Sequence, residues 1–103
     1  TYVAELAGQV LGMVTVEPDD PYLILRNLAV HPASQGQGVG RRLALLVEEI
    51  ARSRNLRGVR LWTRAEMLDN IAFYTRLDYV LTHSEQTPKA TRVFFRKELA
   101  WES

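Results

Sequence analysis

The sequence predicts a mixed α/β domain, a mostly antiparallel sheet with flanking helices, and three observations carry that prediction. Its hydrophobic period switches between strand-like alternation and helical spacing in the order ββ-β-α-β-α-β-β. Its first two apolar runs are separated only by Ala7-Gly8-Gln9, a turn short enough for a hairpin with a glycine available for positive φ. A glycine-rich stretch, Gln35-Gly36-Gln37-Gly38-Val39-Gly40, falls where a strand hands over to a helix.

Taken in order, Tyr2 to Leu6 and Val10 to Val16 are the two hairpin strands. Pro18-Asp19-Asp20-Pro21 is a dense turn signal that breaks the sheet before a third strand, Tyr22 to Val30. From Val39 to Arg54 the apolar positions 39, 43, 46, 47 and 50 share one helical face, while Arg41, Arg42, Glu48, Glu49 and Arg52 take the other. Glu48 and Arg52, one turn apart, are placed to pair. Asn55 to Gly58 ends that helix, and Val59 to Thr63 alternates as a strand. A shorter helix fits Met67 to Leu77, and a last pair of strands fits Tyr79 to His83 and Arg92 to Leu99 around a polar Ser84 to Ala90 loop.

Composition narrows the function classes. A chain of 103 residues is one domain with room for a single core, and its 47% hydrophobic and 24% charged content is that of a soluble globular protein. Thirteen basic residues stand against twelve acidic ones, so no overall charge recruits nucleic acid or a membrane. With no cysteine, a disulfide scaffold, a thiolate metal site and a cysteine nucleophile are excluded, and a reducing cytoplasm fits. Two separated histidines, His31 and His83, give a metal site no support. No apolar run reaches membrane-spanning length, and no signal-peptide pattern is present.

Glycines at 36, 38 and 40 remove every second Cβ, so the backbone can bend tightly and point several N–H groups at one anion, where the next helix adds the positive end of its dipole. The motif alone fits an ordinary αβ turn as well as a phosphate cradle. A P-loop needs Lys then Ser or Thr after its last glycine, but Arg41-Arg42 follows Gly40. A dinucleotide fingerprint needs its glycines directly off the strand and an acidic residue ending a second strand about 20 residues on. Here His31 to Gln35 intervene, and the acids at that distance, Glu48 and Glu49, lie mid-helix.

What remains, Leu28-Ala29-Val30 ending a strand, the Val30-His31-Pro32 turn, and Gln35, Gly38 and Gly40 opening a helix, resembles the signature of the GNAT superfamily of acyl-CoA N-acyltransferases. The segment Asn70 to Tyr79 is similar to that family's helix-to-strand segment with its tyrosine, here Tyr74. The resemblance covers nearly the whole chain, from the family's second strand onward, so 1–103 reads as one such domain lacking the first strand and two helices. It implies an acyl-CoA N-acyltransferase fold, its sheet splayed where acetyl-CoA enters. An unfinished wall of this kind leads us to expect a homodimer or pairing with a missing N-terminal segment.

By this resemblance the pantetheine arm of acetyl-CoA lies along Leu28, Ala29 and Val30, and the pyrophosphate takes the amides of Gln35, Gly36, Gln37, Gly38, Val39, Gly40 and Arg41. Tyr74 is the catalytic residue, a phenol near the leaving thiol; its alternative is plain core packing on a stripe with Met67, Ile71 and Leu77. The family often has an Asn seven residues before the tyrosine; that position is Met67, and Asn70 stands one turn closer as a substitute cofactor contact. Asp78 replaces a usual glycine at a site favouring left-handed φ. No carboxylate on the third strand offers itself as general base, leaving Glu17, Glu66, His31 or a water chain. The expected function is acetyl transfer from acetyl-CoA to a primary amine, on a small molecule or a peptide, with no metal, nucleic acid or membrane. The rivals are a CoA-binding module without catalysis and a protein-interaction module.

Overall fold

The structure, a computed structural model, describes residues 2–6 and 9–99, with the backbone alone over 3–6. Its elements are β1 (Tyr2–Leu6), β2 (Gln9–Asp19), β3 (Tyr22–Val30), a 3₁₀ turn (Pro32–Ser34), α1 (Val39–Ser53), β4 (Gly58–Arg64), α2 (Leu68–Arg76), β5 (Val80–Gln86) and β6 (Thr91–Glu98). The order and type of the strands and α-helices match the sequence reading, which did not foresee the 3₁₀ turn; of the first turn, Ala7 and Gly8 lie outside the described residues.

The strands form one sheet in the order β1-β2-β3-β4-β6-β5. Within β1-β2-β3 and within β4-β6-β5 every pairing is antiparallel. The two halves meet in a short parallel ladder, Tyr22 with Gly58, Leu23 with Val59 and Ile24 with Arg60. Past Ile24 and Arg60 the strands diverge, so the sheet is mixed, mostly antiparallel and splayed, as expected. Helix α1 lies across β2, β3 and β4 on one face and buries Val39, Leu43, Ala44, Val47 and Ala51 against Val14, Leu23 and Val59. A Cβ on Gly12 would stand 2.8 Å from the Ala29 carbonyl oxygen and 3.1 Å from Leu43 Cδ1, which shows how closely the helix sits on β2.

Three expectations are corrected. Strand β2 runs to Asp19, through the prolyl residue that was read as ending it. Pro18 stands opposite Leu23 in the ladder with β3. Strand β5 continues to Gln86, so Ser84, Glu85 and Gln86 pair with β6 and only 87–90 form the turn. All of β5 is exposed at the sheet's outer edge, which removes the apolar alternation that sequence reading depends on.

The third correction is Glu48, expected on the outer face of α1 and pairing with Arg52. It is 2% exposed, and its Oε1 receives a hydrogen bond from Lys97 Nζ of β6 at 3.0 Å. At 3.6 residues per turn position 48 adjoins Ala44 and Ala51, both on the buried stripe, and the lysine from across the sheet offsets the charge. Asp78 adopts φ 71, the left-handed conformation its place implied.

Candidate active site

The splay begins at a bulge. Val16 pairs with Leu25 and Thr15 with Asn27, leaving Arg26 without a counterpart. The extra residue shifts the phase of β3: Leu23 and Leu25 face the core before it, Leu28 and Val30 after it. A Cβ on Gly40, at the start of α1, would lie 3.4 Å from Val30 Cγ2 and 3.6 Å from Leu28 Cδ2. The backbone alternates as well. His31 donates its N–H to the Leu11 carbonyl at 2.7 Å, so in this register Ala29 also turns its backbone groups toward β2. Leu28 and Val30 turn theirs to the other edge, where β4 has diverged. Ala29, expected beside them on the ligand's path, belongs to the β2 ladder instead.

Where β3 ends, the glycine stretch makes a cradle. Gly36 and Gly38 have φ of 82° and 79°, a conformation that disfavours a side chain, and a Cβ on either would meet nothing within 4 Å. Bare backbone therefore faces an open cleft of about 590 Å³. Gly38 caps α1 with no side-chain hydrogen bond, and the first turn holds no acidic residue. The N–H groups of Gly36, Gly38, Val39, Gly40 and Arg41 find no partner among the described residues, whereas those of Gln35 and Gln37 are spent on the carbonyls of Pro32 and Ser34. Arg41 and Arg76 both line the cleft. Sequence reading missed Arg76; its signal is the spacing from Phe73, three residues earlier, which puts both on the side of α2 that meets the cradle.

A second cleft of about 330 Å³ occupies the gap itself, between Leu25 to Leu28 of β3 and Leu61 to Arg64 of β4, with Met67, Asn70 and Tyr74 beside it. Tyr74 is 7% exposed, its ring edge-on to Phe73 at 5.0 Å and to Tyr79 at 5.6 Å. Its ring is in the core, and the residue also lines the cleft. Its hydroxyl has no hydrogen-bond partner among the described residues, and burial pushes its pKa up to about 12. The phenol is thus a neutral donor at ordinary pH. Asn70 Nδ2 lies 3.4 Å from Thr63 Oγ1 and 3.7 Å from Met67 Sδ, so Asn70 and Met67 converge on the same threonine.

The sequence pattern of the acetyltransferase (GNAT) family matches residues 1–79. The chain belongs to this family. Solved structures agree on the fold. Ard1 from Thermoplasma volcanium superimposes with a TM-score of 0.87 at 21% identity, over 96% of this chain and 70% of that one. The ribosomal-protein-S18-alanine N-acetyltransferase from Escherichia coli gives 0.84 at 20% identity, over 96% and 68%. A GNAT family acetyltransferase from Elizabethkingia anophelis with acetyl-CoA bound gives 0.83 at 17%, over 94% and 74%. No curated protein matches the sequence.

The candidate bases of this GNAT domain lie away from the tyrosine. Glu17 pairs with Arg26 at 3.5 Å and Glu66 with Arg64 at 3.7 Å, both pairs well exposed, and His31 Nδ1 accepts the Ala33 N–H at 3.1 Å. None of the three candidate bases lines the gap, and among the described residues no carboxylate or imidazole does. Beneath Tyr74, the Tyr79 hydroxyl and Glu48 Oε2 are buried without a hydrogen-bond partner. Burial first, and then the Glu48 charge, drives the Tyr79 pKa far upward. Among the described residues no group of three His, Cys, Asp or Glu stands ready to hold a metal ion, and no helix is long and apolar enough to cross a membrane.

Proposed function

We propose that this GNAT domain transfers an acetyl group from acetyl-CoA to a primary amine by direct attack within a ternary complex. The observation that carries the reading is the free edge of β3, which runs from the cradle of bare amides to the gap beside Tyr74. The unpartnered amides of Gly36 to Arg41, with the Arg41 and Arg76 guanidinium groups, suit a diphosphate. The backbone groups of Leu28 and Val30 suit an amide-bearing arm added as a further strand, and an N–H of this edge also suits the oxygen of a thioester as charge builds on it. Asn70 contributes at the α2 side of the gap. Acetyl-CoA supplies the activated acyl group.

In the reaction the amine nitrogen bonds to the carbonyl carbon, the carbon–sulfur bond breaks, and the sulfur leaves as a thiol. Tyr74, with its pKa near 12, is a weaker acid than a thiol at about 8.5, so it acts by hydrogen-bonding the sulfur as charge develops. Tyr74 keeps its own proton, and the one that makes the thiol is the one the amine nitrogen loses. With no carboxylate or imidazole in the gap, that deprotonation passes through water, and the rate rises with pH toward the amine's own pKa.

The same lack of a base is what favours the second reading, a CoA-binding module without catalysis. Thiol release from acetyl-CoA across a panel of amines separates the two. Tyr74→Phe keeps the ring and removes the donor, so kcat should fall by about 10²- to 10⁴-fold with CoA affinity unchanged by calorimetry. Acetyl-CoA binding with no thiol release from the unaltered chain would establish the module instead.

A further inference from the structure

The side of the gap facing away from α1 carries four arginines, one of which has no ion pair among the described residues. The ladder between β4 and β6 sets Arg60 opposite Arg96 and Arg64 opposite Arg92, on either side of Trp62 and Phe94. Like charges directly opposed on a ladder repel. In the first pair Asp19 holds Arg60, and Glu98 lies 3.3 Å from Arg96. In the second, Arg64 reaches Glu66 at 3.7 Å, but Arg92 has no ion pair among the described residues. Its guanidinium lies instead over the Trp62 ring, 4.4 Å from the centroid. Glu85, its partner on β5, has its carboxylate 3.8 Å from His83 Nε2.

Arg64, Arg92, Trp62 and Lys89 line a pocket of about 280 Å³ with no carboxylate in its wall, and Lys89 too has no ion pair among the described residues. Trp62 and Arg64 are shared with the gap at Tyr74, so the two spaces adjoin. The turn that closes the pocket is held in place. Thr87 Oγ1 donates to the Ala90 carbonyl at 2.9 Å and accepts the N–H groups of Lys89 and Ala90, while Ala65 donates its N–H to the Thr91 carbonyl at 2.9 Å.

Resting on the reading above, we propose that the acceptor is an amine that also bears an anionic group, a carboxylate or a phosphate ester, which Arg92 and Lys89 take up while the amine enters the gap. A guanidinium already held over an indole ring has less freedom left to lose on meeting a planar or tetrahedral anion. A neutral amine forgoes that contact, and a polycationic one is repelled by it.

The test compares acceptors with and without the anionic group, γ-aminobutyrate against its amide and phosphoethanolamine against ethanolamine, in thiol release from acetyl-CoA. For at least one pair the acid should exceed its neutral twin in kcat/KM by about tenfold or more, with the responding pair identifying the anion. The ratio should fall toward one in Arg92→Met, with CoA affinity by calorimetry as the check on folding. Equal turnover of both members of both pairs overturns the inference and leaves acetyl transfer standing. Should no amine be acetylated, acetyl transfer fails, and titration of the Trp62 indole resonance in a Trp101→Phe background decides the inference alone. A saturable shift with an acid and not its twin supports the pocket, and no difference overturns it.

Discussion

Along its β2 edge, strand β3 is paired from Tyr22 to Val30; along its β4 edge it is paired only from Tyr22 to Ile24. The same peptide groups do different work on the two sides. Toward β2 they close a ladder and hold Val14, Leu23 and Leu25 in the core, and toward β4 those of Leu28 and Val30 are left without partners. The bulge at Arg26 makes this compatible with packing, since it re-phases the strand so that Leu28 and Val30 still meet the start of α1. A sheet can thus keep its side chains in a core while withholding part of one backbone edge for a ligand.

Proline, which removes one N–H, tells the edges apart most sharply. Leu28→Pro deletes a donor on the open edge, and on the proposed chemistry thiol release should fall by about 10²- to 10³-fold while the protein still folds. Ala29→Pro deletes a donor in the β2 ladder and should cost about 3 kcal/mol of stability in urea unfolding. The reverse pattern would show that the edges are misassigned.

Tyr74 straddles the comparison, with its ring on the packed side and its hydroxyl on the open one, and pH separates the two. Its pKa is raised by burial from 10.0 to about 12. The folded state therefore holds the proton more tightly than the unfolded chain does, so this stability is fully present below pH 10 and is lost as pH rises through about 12. Over those two units the loss is about 3 kcal/mol, read as an alkaline drop in unfolding free energy that shrinks in Tyr74→Phe. Tyr79, raised in the same direction, supplies what remains.

The smallest effect belongs to the cradle. In Gly38→Val a side chain is forced into a left-handed conformation at φ 79° and projects into open space where an anion would sit. The strain is about 1–2 kcal/mol, and CoA affinity should weaken by about tenfold, measured by calorimetry. Undiminished affinity would remove the cradle from the proposed site.

The features legible in the sequence are those that local residues decide. The element order, the glycine stretch, Tyr74 and the left-handed Asp78 each follow from a short run of chain. The bulge at Arg26 carries no residue type of its own; its trace is only the slip from Leu23 and Leu25 to Leu28 and Val30. Glu48 was misread because its partner, Lys97, lies 49 residues away, and a charge on a helix gives no sign that a lysine will cross the sheet to meet it. Arg92 was invisible for the same reason, since what sets it apart is that its ladder partner Glu85 reaches His83 and leaves it with no ion pair among the described residues. The general base stays unread at both levels, because no carboxylate or imidazole lines the gap.

The three parallel pairs between Tyr22 to Ile24 and Gly58 to Arg60, with the Arg57 N–H on the Pro21 carbonyl and the side-chain bonds of Tyr22 to Glu98 and Arg60 to Asp19, form the hydrogen-bonded junction between two three-stranded halves among the described residues, with α1 crossing beneath them. Each half closes through its own antiparallel ladders, but the junction needs strands brought together across the helix, a loop closure rewarded by few bonds. On topology alone this joint is expected to be the last to form and the first to loosen. On the proposed reading acetyl-CoA lies along that joint, and binding only the closed form would draw the two halves together by mass action. Cohesion of the sheet and occupancy of its site then become a single equilibrium, set by the concentration of the acyl donor.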